Sequence, residues 1–287
     1  MGDPSICAPP GIESNMPESL AKDRLTELDA FLMELNRASA RAILPLFRGD
    51  LGLEDKNPDG AFDPVTAADR GAEAAIRALI AKHRPDDGVI GEEYGEDRPE
   101  AEFVWVVDPI DGTRSFMAGL TTWTTLIALR RHGEPVLGSI GQPYLDELFI
   151  GSAAGSRLMS RGEARPLRVR ECPSLTQAVV ATTDPWTYLN GAEQGAWTQV
   201  RATARVSRYA CDAYAYAMVA LGSMDLVVEA GLKSWDVEAA VPVIEGAGGH
   251  VTDWRGERIG RKGGQTIIAG DRRCLDEALV ALRRAAD

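Results

Sequence analysis

Phe103-Val104-Trp105-Val106-Val107-Asp108-Pro109-Ile110-Asp111-Gly112-Thr113 is the stretch whose reading decides the fold. Its five successive apolar residues, Phe103 to Val107, read as a strand buried on both faces, which places Asp108 at the carboxyl end. Pro109 has no N–H and a fixed φ, so ladder pairing is expected to end there. Asp111 stands where an N-cap belongs, and the amides of Gly112, Thr113 and Arg114 would then face outward at a helix start, an arrangement that binds anions. Two aspartates three residues apart on a turn suit a hard divalent cation, magnesium first, holding a phosphate oxygen beside those amides. An ordinary strand-turn-helix with one capping and one solvated aspartate has the same residues.

The 287 residues suffice for one large layered domain or two closely packed lobes with a sizeable core. A formal charge of −12 and the lack of any basic run exclude nucleic-acid binding by net electrostatics, so phosphate chemistry here calls for a small substrate and bound cations. Cys7, Cys172, Cys211 and Cys274 are scattered, and with only His83, His132 and His250 no zinc or disulfide framework emerges. The acidic segment from Met1 to Pro17 lacks the basic start and apolar core of a signal peptide, and no stretch approaches a membrane span. Ile6 occupies the place where a myristoylation signal needs Ser or Thr. These features predict a cytoplasmic enzyme with residues 1–16 as a disordered lead-in.

Apolar spacing predicts a long amphipathic helix from Glu18 to Phe47 and a second from Thr66 to His83, joined by a mobile Gly-, Asn- and Pro-rich hairpin or loop, Arg48 to Pro64, that carries Lys56. Val89-Ile90 forms a short strand before Gly91-Glu92-Glu93, and the charged stretch to Glu102 reads as loop. Trp123 to Arg131, Glu134 to Gln142 and Glu147 to Gly151 read as an antiparallel meander turned at His132-Gly133. From Ser152 strands and helices alternate: Ala178 to Thr183, Cys211 to Leu221, Leu226 to Glu229, Trp235 to Ala247, Thr266 to Ala269 and Arg272 to Arg284. The expected division is an N-terminal α+β lobe, 17–151, and a C-terminal α/β lobe, 152–287, sharing one cleft.

Glu92 and Glu93 follow a strand across a glycine, which suits a metal or plain solvation; Asp236 opens a helix, as a ligand or as an N-cap. Taken with Val65-Thr66-Ala67-Ala68-Asp69, Trp235-Asp236-Val237-Glu238-Ala239-Ala240 and Glu245-Gly246-Ala247-Gly248-Gly249, these motifs follow one order. In that order the chain, from Leu25 to Asp287, resembles the inositol monophosphatase superfamily. The resemblance implies a layered αβαβα phosphomonoesterase that uses two or three magnesium ions, is sensitive to lithium and is homodimeric. It assigns Glu92, Asp108, the Ile110 carbonyl, Asp111 and Asp236 as metal ligands. Asp69 and Thr113 become the pair that fixes the metal-bound water, with Glu92 orienting it, and Gly112 and Thr113 supply phosphate-binding amides. Lys56 is either surface charge or the counterpart of the lysine on the family's mobile loop.

Outside that shell, Ala210-Cys211-Asp212-Ala213-Tyr214-Ala215-Tyr216 departs from the small residues of the inositol enzymes and resembles, at Asp212, Tyr214 and Tyr216, the Gly-Asp-Cys-Tyr-x-Tyr pattern of the histidinol-phosphate phosphatases, with Ala for Cys at 213 and the Gly replaced. Gly141-Gln142-Pro143 and Asp225 to Lys233 extend the match. Histidinol phosphate carries an ammonium and an imidazole, which suit the carboxylates of Asp212 and Glu229. Asp212 has a second reading as a helix N-cap, and Tyr214 and Tyr216 are expected to pack. Inositol 1-phosphate, a sugar or nucleotide phosphate, and a non-catalytic metal-binding scaffold remain the alternatives.

Overall fold

The computed structural model describes residues 21–49, 54, 55 and 64–287. The lead-in, the start of the first helix at Glu18 and Lys56 therefore lie outside the described residues. The architecture is a mixed α/β fold of five layers: helix, sheet, helix, sheet, helix.

The central strand, Phe103–Asp111, is flanked by a parallel neighbour, Gly88–Gly91, and an antiparallel one, Thr124–Arg131, within an eight-stranded sheet. Its alternation explains the unbroken apolar run, because each face meets a helix layer. Trp105 and Val107 pack against Leu28, Leu32, Leu35, Ile76 and Ile80 of helices Lys22–Ile43 and Ala67–His83. Val104 and Val106 turn the other way, onto helices Tyr214–Ala220, Ser234–Val237 and Ala240–Gly246. That middle layer also covers one face of a five-stranded sheet through Val227, Val251 and Ile268. The sheet's other face, with Val228 and Ile267, is closed by Trp197 and Val200 of helix Gly191–Thr203 and by Leu275 and Leu279 of helix Arg272–Leu282.

Several boundaries differ from expectation for local reasons. The first helix stops at Ile43 rather than Phe47, because Pro45 has no N–H to donate to the Arg41 carbonyl, although Leu44 itself keeps helical angles, φ −58° and ψ −36°. The charged stretch read as loop contains a strand, Gly95–Asp97, paired with Gly88–Gly91. The meander continues past Ser152 through a further hairpin, Gly155–Ser160 with Glu163–Pro166. The expected helix from Trp235 to Ala247 is two segments, since Pro242 has no N–H for the Glu238 carbonyl, which accepts instead from Val241 at 3.3 Å. A short ribbon pairs Glu54–Asp55 with Pro64–Val65, which agrees with a hairpin between the first two helices.

Candidate active site

The expected end of pairing at Pro109 is corrected. The strand runs on to Asp111, with a register shift between Asp108 and Asp111, and pairing resumes at Asp111 opposite Thr124. This bulge is held from both sides. Thr125 Oγ1 donates to the Pro109 carbonyl at 2.8 Å, and the Ile110 side chain is 1 % exposed among Ile43, Phe47, Phe116 and Trp123. The Ile110 carbonyl accepts from Thr113 Oγ1 at 3.2 Å. A bulge re-aims side chains that a regular ladder would alternate, and here it brings Asp108 and Asp111 to one site.

Asp111 is not the N-cap. Gly112 takes that place in a left-handed conformation, φ 81°, before the five-residue helix Thr113–Met117. Asp111 Oδ2 instead accepts from the Ala213 amide at 2.7 Å, tying the metal loop to the start of the Tyr214–Ala220 helix. Asp236 is not an N-cap either. Lys233 is, and Asp236 two residues inside the helix start accepts the Lys233 amide at 2.6 Å.

Carboxylate oxygens of Asp108, Asp111 and Asp236 all lie within 4.8 Å of one another. Glu92 joins them by register, since Gly91 stands opposite Val107 and the Glu92 amide donates to the Val107 carbonyl at 3.2 Å. Burial, then the charges of Glu92, Asp111, Asp236 and Asp69, pushes the Asp108 carboxyl well above its usual range. Burial and the charges of Asp212 and Asp236 do the same to Asp111, while burial carries Asp236 to about 6. Asp108 Oδ1 is buried without a hydrogen-bond partner among the described residues. One buried and two half-buried carboxylates with an orphan oxygen are the donor set of a hard divalent cation, whose charge relieves the mutual repulsion.

Asp69 is 1 % exposed and closes a capping box on the Ala67–His83 helix, its Oδ2 accepting from the Thr66 amide at 2.8 Å and the Thr66 hydroxyl at 2.5 Å. Glu73, one turn on, has no part in the sequence motifs yet positions Glu92. It is fully buried, and its carboxylate accepts the amides of Glu93 at 2.8 Å and Tyr94 at 3.2 Å. A Cβ at residue 91 would stand 2.0 Å from Glu73 Oε1, so only glycine fits before Glu92. The available signal is spacing: Glu73 shares the buried stripe of Ile76 and Ile80.

Asp212 reaches the same site from the C-terminal half. The helix expected from Cys211 starts at Tyr214, because Ala210 (φ 53°) and Asp212 (φ 46°) are both left-handed; the N-cap is Ala213. Asp212 Oδ2 accepts from Ser115 Oγ at 2.5 Å and from Thr122 Oγ1 at 3.4 Å. Its carboxylate sits so close to Gly112 that a Cβ there would lie 2.8 Å from Asp212 Cγ. Burial raises the Asp212 carboxyl, while those two hydroxyls and the charge of Arg114 draw it down. Arg114 lies over the Tyr188 ring, 5.4 Å from its centroid, a wall the sequence reading did not include.

Glu229 is 4 % exposed and accepts from the Thr183 amide at 2.8 Å and the Thr183 hydroxyl at 2.9 Å. Burial lifts its carboxyl to about 8. Tyr216 packs as expected, at 2 % exposure, and feels the charges of Glu229, Asp111, Asp236 and Asp212. Tyr214 is half-buried and donates its hydroxyl to Glu147 at 2.7 Å.

A shifted strand end, a left-handed glycine at a short helix start and converging carboxylates coincide with a family-wide match: the model of the inositol monophosphatase family covers residues 24–287. The chain belongs to the inositol monophosphatase family. It is a phosphomonoesterase of that metal-dependent family. The Arabidopsis thaliana protein "Bifunctional phosphatase IMPL2, chloroplastic" is 43 % identical over 87 % of this chain and 71 % of its own length. A histidinol-phosphatase of Chlorobaculum parvum is 33 % identical over 83 % of this chain and 88 % of its own. An inositol monophosphatase structure from Zymomonas mobilis superposes with a TM-score of 0.80 at 38 % identity, covering 90 % of this chain and 98 % of that one. Among the described residues no helix is long and apolar enough to cross a membrane.

Proposed function

We propose that this chain is a magnesium-dependent phosphatase that hydrolyses L-histidinol phosphate to L-histidinol and phosphate. The observation that carries the substrate is Asp212, a carboxylate lodged against Gly112 and Ser115 at the phosphate end of the site. An ammonium or imidazolium on the substrate finds a charged partner there, whereas the hydroxyls of inositol do not need one. Glu229 adds a second carboxyl group, a hydrogen-bond acceptor whose charge Asp212 disfavours, on the same side, and histidinol-phosphatases among the relatives support the reading.

In this mechanism Glu92, Asp108, Asp111, Asp236 and the Ile110 carbonyl hold two or three cations. Magnesium held by these residues would supply positive charge against the phosphate and a lower pKa for the attacking water. The Gly112 and Thr113 amides hold phosphate oxygens. Glu92, Thr113 and Asp69 orient the water for in-line attack. Asp212 and Glu229 hold the amino alcohol as leaving group. Residues 17–151 supply most cation ligands, and residues 152–287 supply Asp236 and the substrate-facing carboxylates. The homodimer, the lithium sensitivity and cytoplasmic residence belong to the same proposal.

A second reading, inositol 1-phosphate, is favoured by the Zymomonas mobilis relative. Side-by-side turnover of both esters, with magnesium and with EDTA, separates them. The expected result is magnesium-dependent release from histidinol phosphate with the higher kcat/KM. Preference for inositol 1-phosphate would replace the substrate, and no release from any ester would return the scaffold reading.

A further inference from the structure

A cavity of ≈ 380 Å³ opens between the Lys22–Ile43 helix and the strand ends around Thr125, Gly141, Leu148 and Met159, and none of the site carboxylates lines it. That volume suits a small organic molecule. The walls are apolar: Met33, Leu44, Leu148 and Met159. Its lining also offers two cations, Arg37 and Arg161, for which no ion-pair partner is found among the described residues. Beside Arg161 stands one carboxylate, Asp146, whose Oδ2 accepts from the Arg161 amide at 2.8 Å; Glu147 lines the cavity too, but its carboxylate accepts from the Tyr214 hydroxyl at 2.7 Å.

The floor holds an unmet acceptor. Asn36, 9 % exposed, spends its amide protons on the Leu32 carbonyl at 2.9 Å and on Ser139 Oγ at 2.8 Å, and its Oδ1 has no partner. Gly141 leaves room for that oxygen, since a Cβ there would come within 2.8 Å of it. A buried acceptor left without a donor costs stability, and this one lies directly beneath the cavity, where Asn36 and Gly141 are both lining residues. A ligand with an apolar body, one anionic group for the arginines and one ammonium for Asp146 matches this lining. A dianion would face Asp146, and a plain amine would leave the arginines unmet.

The cavity also touches the metal loop. Thr125 lines it and gives its only hydroxyl proton to the Pro109 carbonyl, so Ser39, 3.2 Å away, is the donor to Thr125. Pro109 sits inside the bulge that sets Asp108 and Asp111. We infer that this cavity is a regulatory site for a zwitterion of the α-amino acid class with a bulky apolar side chain, coupled to cation binding through Thr125 and Pro109.

The test is titration calorimetry on the full chain with L-phenylalanine, L-leucine and L-histidine as probes, beside phenethylamine and 3-phenylpropionate, which each lack one charge. The expected result is saturable one-to-one binding of at least one amino acid, at least ~10-fold tighter than either analogue. Arg37→Glu, at an exposed position, and Met159→Trp, which fills the cavity, are each expected to weaken binding ~10-fold or more while leaving turnover without amino acid unchanged. Saturating ligand is expected to shift the magnesium concentration for half-maximal activity by ~3-fold or more, in either direction. No saturable binding at concentrations on the order of 10 mM overturns the inference. So do equal binding by the analogues, binding intact in Arg37→Glu, and an unmoved magnesium requirement. Calorimetry needs no turnover, so this outcome is separable from that of the proposed reaction.

Discussion

The two sides of the cleft are built in opposite ways. On one side Asp108, Ile110, Asp111, Gly112 and Thr113 come from six consecutive residues, and Glu92 is brought alongside by strand register. On the other, Asp212 and Glu229 are placed by partners far away in sequence: Ser115 for Asp212, 97 residues distant, and Thr183 for Glu229, 46 residues distant. The first side concentrates negative charge that only a cation relieves. The second keeps each carboxylate individually hydrogen-bonded. Charge needed for the chemistry is thus written locally, and the charge we propose to select the leaving group is written through tertiary contacts.

Removing charge from the first side is expected to have the largest effect. Asp111→Asn or Asp236→Asn should lower kcat/KM by ~10³-fold or more on every ester, because a neutral amide cannot hold the cation against the phosphate. Turnover that survives in the variants or in EDTA breaks the comparison. Glu92→Gln should lower kcat by about 10²-fold with a native circular dichroism spectrum, the scale of losing a positioned acid-base group. An unchanged kcat would take Glu92 out of the site.

The second side is expected to show itself in pH dependence. Glu229 is raised by burial to about 8 from 4.5, so the folded state keeps a proton that the unfolded state releases across that interval. The unfolded state then binds fewer protons, and stability contributed at this group falls as pH rises between those values. Tm should therefore decline between pH 5 and pH 8 more steeply in the native chain than in Glu229→Gln. Parallel curves would mean that Glu229 is already ionised in the folded state. The smallest effect is expected at Ala210, held at φ 53° where glycine is unstrained. Ala210→Gly should stabilise by up to about 1 kcal/mol, the conformational strain exceeding the entropy that glycine adds to the unfolded chain. A lower Tm would show that the left-handed turn costs alanine little here.

Legibility in the sequence follows the same division. The buried central strand, both N-terminal helices and the meander were readable because apolar period reports local structure directly. The carboxylates at 92, 108, 111 and 236 were readable as motif residues, but the cap expected at Asp111, and the cap reading of Asp236, fail, since a cap depends on where the helix actually begins. Asp108 was placed at a strand end because proline normally stops a ladder; the Thr125 bond and the buried Ile110 carry the strand across it. Glu73 escaped notice because Glu73 and Arg77 at i, i+4 look like a solvated pair, while the carboxylate in fact faces inward. Ser115 and Thr122 could not be paired with Asp212 without the fold.

The central claim is that Asp212 selects a cationic leaving group. Asp212→Asn keeps the shape that Ser115 and Thr122 hold and removes the charge, so the measurement is kcat/KM of native and variant chains on histidinol phosphate and on inositol 1-phosphate. Loss of a charge-assisted bond worth roughly 1.5–3 kcal/mol predicts a drop of about 10- to 150-fold on histidinol phosphate and little change on the inositol ester. An equal drop on both, or none on histidinol phosphate, would contradict it.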